Sequence, residues 1–208
     1  IRSMQDLQPM ADINYVLIRR EMPPERRLVA LSADLEAALR NPGGPADVRL
    51  MPRDDVRVFH MIGERPEVEE LVTELRAQAS LDRAAPVVRV GGRVRAAGSY
   101  PLEPGMRVSD LLRAGGALAE GAYAVEAEVT RYDVIGGEYR EIGLIPVDLN
   151  GVRRGDPTAD IVLQPYDFLN VREVTHWREQ ETVTLTGEVR FPGSYPIRKG
   201  ETLLSVLE

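Results

Sequence analysis

One eight-residue segment occurs twice in this chain with little change. Val94-Arg95-Ala96-Ala97-Gly98-Ser99-Tyr100-Pro101 returns 95 positions later as Val189-Arg190-Phe191-Pro192-Gly193-Ser194-Tyr195-Pro196, with six identities in eight. The match extends back to Gly92 and Gly187 and forward to Gly105 and Gly200. Self-similarity at a fixed spacing marks a repeat architecture, and this constrains the fold more than composition does. A second pair, Leu50-Met51-Pro52-Arg53-Asp54-Asp55-Val56-Arg57-Val58 and Leu163-Gln164-Pro165-Tyr166-Asp167-Phe168-Leu169-Asn170-Val171, is offset by 113. The offsets differ by 18, which puts one insertion between Val58 and Val88 that is lacking between Val171 and Val183. The 208 residues are therefore expected to hold the back half of one unit (1–59), a linker (60–86), a complete unit (87–175) and the front half of another (182–208). On this reading both ends cut through a repeat.

The patterning inside one unit gives its fold. In residues 87–95, Val88, Val90, Gly92 and Val94 alternate with Arg89, Gly91, Arg93 and Arg95, the period-two signature of a half-buried strand. Gly98-Ser99 reads as a hairpin into a second strand at 100–102. Val108, Leu111 and Leu112 stand at i, i+3 and i+4 ahead of Gly115-Gly116, which predicts a short helix over 107–114. Thr202 is a natural N-cap at the equivalent place, whereas Arg107 is not. Two strands follow at 125–135 and 139–149 around Gly136-Gly137, and Pro165-Tyr166-Asp167 turns the chain into a last strand, 168–171.

The first copy has the same strand pair at 13–20 and 27–31 around Pro23-Pro24, then a short helical turn at 34–40 ended by Asn41-Pro42-Gly43-Gly44. Residues 147–152 replace that turn in the complete unit. The order predicts an α+β chain of tandem β-grasp units, small mixed sheets each crossed by one short helix. The insertion predicts a linker helix over 66–80, with Pro66 and three glutamates in its first turn and Val68, Leu71, Val72, Leu75 and Ala79 on one face. That face needs a neighbour, from a flanking unit or another chain. Since 182–208 holds the elements that 1–59 lacks, two chains can complement each other by strand addition.

Composition narrows function by exclusion. With 43% apolar and 28% charged residues the chain is expected to fold, and no apolar run reaches the 18 residues of a membrane span. A net charge of -7 disfavours nucleic acid, whose affinity comes from neutralising phosphates. With no cysteine there is no disulfide, thiolate-zinc or iron-sulfur chemistry, and two distant histidines, His60 and His176, do not make a metal site. No Ser-His-Asp, paired-carboxylate or phosphate-loop pattern is present. The expectation is a non-enzyme with no cofactor and no metal.

The segment Gly-x-Val-Arg-x-x-Gly-Ser-Tyr-Pro, followed by Gly105 and by Val108-Ser109-Asp110-Leu111-Leu112-Arg113-Ala114-Gly115-Gly116, resembles the SLBB domain, the soluble-ligand-binding β-grasp module. Leu163 to Val171 and Leu50 to Val58 are similar to the motif that closes these units, and Asp12 to Arg19 to the strand that follows the helix. Tandem SLBB units are a feature of bacterial polysaccharide export proteins of the Wza type. The resemblance implies a periplasmic structural module of a capsule or exopolysaccharide export protein at the outer membrane. Its implied partners are further copies of itself in an oligomeric channel, a polysaccharide, and an inner-membrane polymerisation or export partner. The alternative it implies is a β-grasp module that binds a soluble ligand or glycan.

Candidate ligand residues are Arg95 and Arg190, a repeated cation; Tyr100 and Tyr195, repeated aromatics beside a turn; and Trp177, the single tryptophan. Arg89, Arg93 and Arg95 would form a basic strand face able to track an acidic polymer, or simply a solvated one. Tyr100 and Tyr195 would stack on a sugar ring or pack on the helix, and Trp177 would meet a ligand or wedge between units. Asp54 and Asp167, each following a proline by two residues, read as turn-stabilising side chains rather than catalytic acids.

Overall fold

The strand expected at the start of the complete unit forms as β4 (Val87–Gly92), with Val88 and Val90 buried and Arg89 exposed. The computed structural model describes residues 6–80, 83–135, 138–175, 182–197, 200 and 202–207. The chain is mixed α+β, with small sheets and five short helices among the described residues, and it is consistent with β-grasp-like units. It divides into two compact units, one up to Glu173 and one from Val174.

In the first unit, β4 pairs antiparallel with β5 (Gly98–Pro101) and parallel with β8 (Phe168–Val171). β8 pairs antiparallel with β6 (Glu126–Ile135), which pairs with β7 (Glu138–Asp148). The result is a mixed five-stranded sheet in the order β5-β4-β8-β6-β7. Helix α3 (Val108–Ala114) buries Val108 and Leu111 against it. Its start has no side-chain cap from Arg107; Asp110 instead accepts from the Arg107 backbone N–H at 3.0 Å, and Asp160 accepts from that of Ser109 at 2.9 Å. Thus a residue 51 positions away supplies the missing N-terminal acceptor.

The N-terminal part of this unit repeats the second half of that sheet. β1 (Ala11–Met22) pairs antiparallel with β2 (Arg27–Ala33) and with β3 (Asp55–His60), in the order β2-β1-β3, as β6 does with β7 and β8. α1 (Leu35–Arg40) follows β2, with Asp34 as its N-cap. In both copies a turn with proline second and a left-handed third residue leads into the closing strand. Arg53 has φ 74° and Tyr166 φ 70°, and the Asp54 and Asp167 N–H groups bond back to Met51 and Gln164 carbonyls, both at 3.1 Å. Each aspartate also accepts from the first N–H of its own turn, at 2.8 and 2.9 Å, the role expected of it.

The inserted helix α2 (Pro66–Ala77) buries Val68, Leu71, Val72 and Leu75, and its neighbours are the flanking β-elements of the same unit. It packs on β5, β4 and β2. Tyr15 and Phe59 from the N-terminal sheet, the α2 face, and Val88, Leu111 and Leu169 from the complete unit share one continuous core.

Two expectations need correction. Gly98 and Ser99 are not the turn but part of β5, paired with Val90 and Arg89. The turn lies before them: Gly92 enters it at φ 77°, and the Arg95 and Ala96 N–H groups bond to Ala117 and Gly115 carbonyls after α3. The helix end, rather than local turn chemistry, fixes the connection. Residues 147–152 do not replace the first copy's helical turn. They reproduce it as α4 (Leu149–Arg154), capped by the Asp148 side chain and closed by Gly155 at φ 75°. The expected Gly136-Gly137 turn lies outside the described residues.

In the second unit β9 (Thr182–Leu185) pairs antiparallel with β10 (Gly193–Pro196), and α5 (Leu203–Leu207) follows. Thr202 and Ser205 form a reciprocal cap: Thr202 N–H donates to Ser205 Oγ at 3.0 Å, and Ser205 N–H to Thr202 Oγ1 at 3.4 Å. Phe191, Leu203 and Leu204 stand 68–70% exposed. Their counterparts one repeat earlier include Ala96 and Val108, which are buried.

Candidate functional site

A cleft of about 660 Å³ opens in the first unit where the N-terminal sheet meets the complete unit. One wall is the start of β1, with Asp12 and Asn14, together with Met61 after β3. The other is α3, through Ser109, Leu112 and Arg113, and the loop Gly116 to Leu118. α4 closes it with Leu149, Val152 and Arg153, and Arg95 enters from the turn between β4 and β5. The volume lies in the range of roughly 300–1,000 Å³ usual for small-molecule sites.

The walls are tied together by two arginines. Arg65, at the entry to α2, donates from Nη2 to Asp12 Oδ2 at 2.5 Å and from Nη1 to the Ala114 carbonyl at 2.8 Å. It is 6% exposed and its guanidinium carbon lies 5.4 Å from the centre of Tyr15 and 5.1 Å from that of Phe59. Stacking on two aromatic rings and pairing with Asp12 together compensate for burying this cation. Asp12 Oδ1 also accepts from the Asn14 and Tyr15 N–H groups at 3.0 and 3.2 Å, so the only carboxylate lining the cleft among the described residues is fully engaged. Arg113 donates to the Asn14 carbonyl at 3.1 Å, to Ser32 Oγ at 3.2 Å and to Asp110 at 3.2 Å. Ser109 Oγ donates to Asp160 at 2.7 Å.

Burial pushes the phenols behind the wall upward. The Tyr15 ring meets Tyr100 edge-on, with centroids 6.1 Å apart and planes at 80°. The Tyr100 hydroxyl is raised to about 12 by desolvation, and that of Tyr15 goes higher for the same reason, reinforced by the charge of Glu103. Glu103 itself is raised by burial, although the Ser32 N–H donates to it at 2.7 Å and opposes the shift.

The five candidate residues are not brought to one place. Arg95 lines the cleft, exposed and without an ion-pair or hydrogen-bonded side-chain partner among the described residues. Tyr100 is 2% exposed and its hydroxyl donates to the Ala96 carbonyl at 2.7 Å. Tyr195 makes the same bond to Phe191, also at 2.7 Å, in the second unit, where Arg190 lies over Phe191 at 5.8 Å. Trp177, with His176, lies outside the described residues. The three arginines expected along one strand also separate, because β4 ends at Gly92: Arg89 covers Phe168 at 4.8 Å, Arg93 pairs with Glu173, and Arg95 turns to the cleft.

Sequence reasoning missed Arg65, Arg113 and Arg153. Arg153 had a signal, since Asp148 and Gly155 bracket a six-residue helix as cap and stop. Arg65 had none, because its partner Asp12 lies 53 residues away, and the i,i+3 pair of Arg113 with Asp110 gave no hint of its bond to the Asn14 carbonyl 99 residues away. No group of three or more metal-binding side chains occurs among the described residues.

Residues 87–142 and 182–208 match the model of the SLBB domain. In these two stretches the chain is similar to the SLBB domain. The two matched stretches begin 95 positions apart, the spacing of the internal repeat. The SLBB domain suggests a soluble-ligand-binding module, and the cleft is walled on one side by the SLBB helix α3. No curated protein matches the chain. No helix among the described residues is long and apolar enough to cross a membrane.

Proposed function

We propose that this chain is a tandem-SLBB module of a Wza-type polysaccharide export protein. In this reading it works on the periplasmic side of the outer membrane as a structural piece of an oligomeric channel for capsule or exopolysaccharide, and it is not an enzyme. The observation that supports the reading is repetition: the two stretches matched to the SLBB domain begin 95 positions apart, and the β2-β1-β3 sheet ahead of them has the strand order of β7-β6-β8. Repeated units of one kind suit a symmetric assembly. Sedimentation velocity of the intact export protein in detergent is expected to give a discrete oligomer; a strict monomer overturns the reading.

A second function, capture of a soluble ligand or glycan, is favoured by the arginine-rimmed cleft. Calorimetry against a glycan panel tests it, with Arg95→Gln as the variant at the cleft; saturable binding that this variant weakens supports the reading, and no saturable binding overturns it.

A further inference from the structure

The lining of the cleft does not suit a neutral sugar. Sugar rings are commonly held on aromatic faces, and the floor here is aliphatic: Leu112, Leu118, Leu149 and Val152. The rim is cationic. Arg95 and Arg153 are exposed and have no ion-pair or hydrogen-bond partner from a side chain among the described residues, although the chain carries 33 acidic residues against 26 basic ones. Among the described residues the one carboxylate lining the cleft, Asp12, is committed to Arg65. An aliphatic floor under two uncommitted guanidinium groups calls for an apolar body ending in an oxyanion. Guanidinium forks match carboxylate and phosphate alike.

We propose that the cleft formed by β1, α3 and α4 binds an amphipathic anion, its apolar body on Leu112, Leu118 and Val152 and its carboxylate or phosphate held by Arg95 and Arg153. This rests on the soluble-ligand reading and names the class of ligand. Arg65 and Arg113 do not take part in binding; they hold the two walls at their present spacing through Asp12 and Asn14.

The test is calorimetry on the full chain with octanoate and octyl phosphate, beside octanol, inorganic phosphate and trigalacturonic acid. Octanoate or octyl phosphate is expected to bind saturably, and whichever binds tighter identifies the headgroup. A charge-assisted hydrogen bond lost to each of Arg95→Gln and Arg153→Gln weakens binding about tenfold or more. Both side chains are exposed, so these variants fold, and unchanged thermal unfolding checks it. Arg40→Gln, the same charge change on the exposed α1 pair with Glu36, leaves affinity unaltered. Leu118→Ser weakens octanoate without affecting inorganic phosphate. Equal binding of octanol, equal loss in Arg40→Gln, or phosphate binding as tightly as octyl phosphate overturns the proposal. Trigalacturonic acid bound through Arg95 with octanoate excluded overturns this ligand class while leaving the soluble-ligand reading intact; no binding of any probe overturns both.

Discussion

Arg131 grips Asp167 through two parallel hydrogen bonds, Nε to Oδ1 at 3.0 Å and Nη2 to Oδ2 at 2.7 Å. Arg20 holds Asp54 in the same way one repeat earlier, at 2.9 and 2.6 Å. Each arginine also reaches the carbonyl just before the turn, Val162 at 3.2 Å and Arg49 at 2.8 Å. A fork of this kind fixes direction as well as distance. It locks the left-handed turn residues Tyr166 and Arg53 and sets where the closing strands β8 and β3 begin.

Removing one partner of this clamp strands the other. The Asp167 side chain is fully buried, so Arg131→Met leaves a carboxylate without its cation and is expected to cost about 3–5 kcal/mol. Asp167→Asn costs less, because the amide oxygen still accepts from the Gln164 N–H. Urea unfolding of both variants measures the difference, and a loss under about 1 kcal/mol for Arg131→Met would show the clamp to be dispensable.

The first-copy clamp gives an acid-linked signature. The Arg20 guanidinium bonded to Asp54 holds that carboxyl below its ordinary 3.8, helped by the Met51 N–H. A depressed folded value means that the unfolded chain binds the proton first, so stability is lost as the pH is lowered. The Asp54 contribution is complete above pH 3.8 and is lost as pH drops through the lower folded value. Melting temperatures of wild type and Asp54→Asn, followed from pH 6 to 2, should converge over that window; parallel curves would mean that Asp54 is not linked.

Gly92 and Gly187 are repeat-equivalent and both have positive φ, 77° and 92°. A Cβ on Gly92 would lie 1.9 Å from the Val171 carbonyl oxygen, whereas one on Gly187 meets nothing within 4 Å. Gly187→Ala therefore costs only backbone strain, about 1–2 kcal/mol. Gly92→Ala must also break the β4–β8 pairing, and hydrogen exchange should show β4 and β8 amides losing protection. Equal effects on the two units would contradict the steric difference.

Tyr100→Phe removes a buried hydroxyl bonded to the Ala96 carbonyl at 2.7 Å and is expected to cost about 1 kcal/mol. Tyr195→Phe removes the same bond from a partly exposed ring and costs less. Because the folded Tyr100 value is about 12 and the ordinary one 10.0, its contribution is complete below pH 10 and is lost as pH rises toward 12. Ultraviolet titration of native protein should leave Tyr15 and Tyr100 neutral at pH 11; ionisation of all tyrosines near pH 10 would contradict their burial.

Local pattern and repetition made much of this protein legible. The strand alternation at Val88 and Val90, the α2 apolar face from Val68 to Leu75 and the Thr202 cap are short-range signals, and each formed the element it predicts, although α2 stops at Ala77 rather than at residue 80 and leaves Ala79 exposed outside it. α4 was hidden because six residues containing a glycine give too little periodicity, yet Gly151 has a packing reason: a Cβ there would lie 2.6 Å from that of Ala159.

The chain's own order of residues thus determined the repeating unit, its class and the position of its inserted helix. Only the tertiary structure decided which arginines share a cleft, which aspartate neutralises Arg65, and which tyrosine is sealed in the core. Periodicity reports what neighbours three or four residues apart do, while the cleft is made by Asp12, Arg95, Arg113 and Arg153, which only long-range packing brings together. The matching segments around Tyr100 and Tyr195, six of eight residues alike, carry that lesson: the same hydroxyl bond forms in both, but burial follows from what packs on top, and no eight-residue match encodes that.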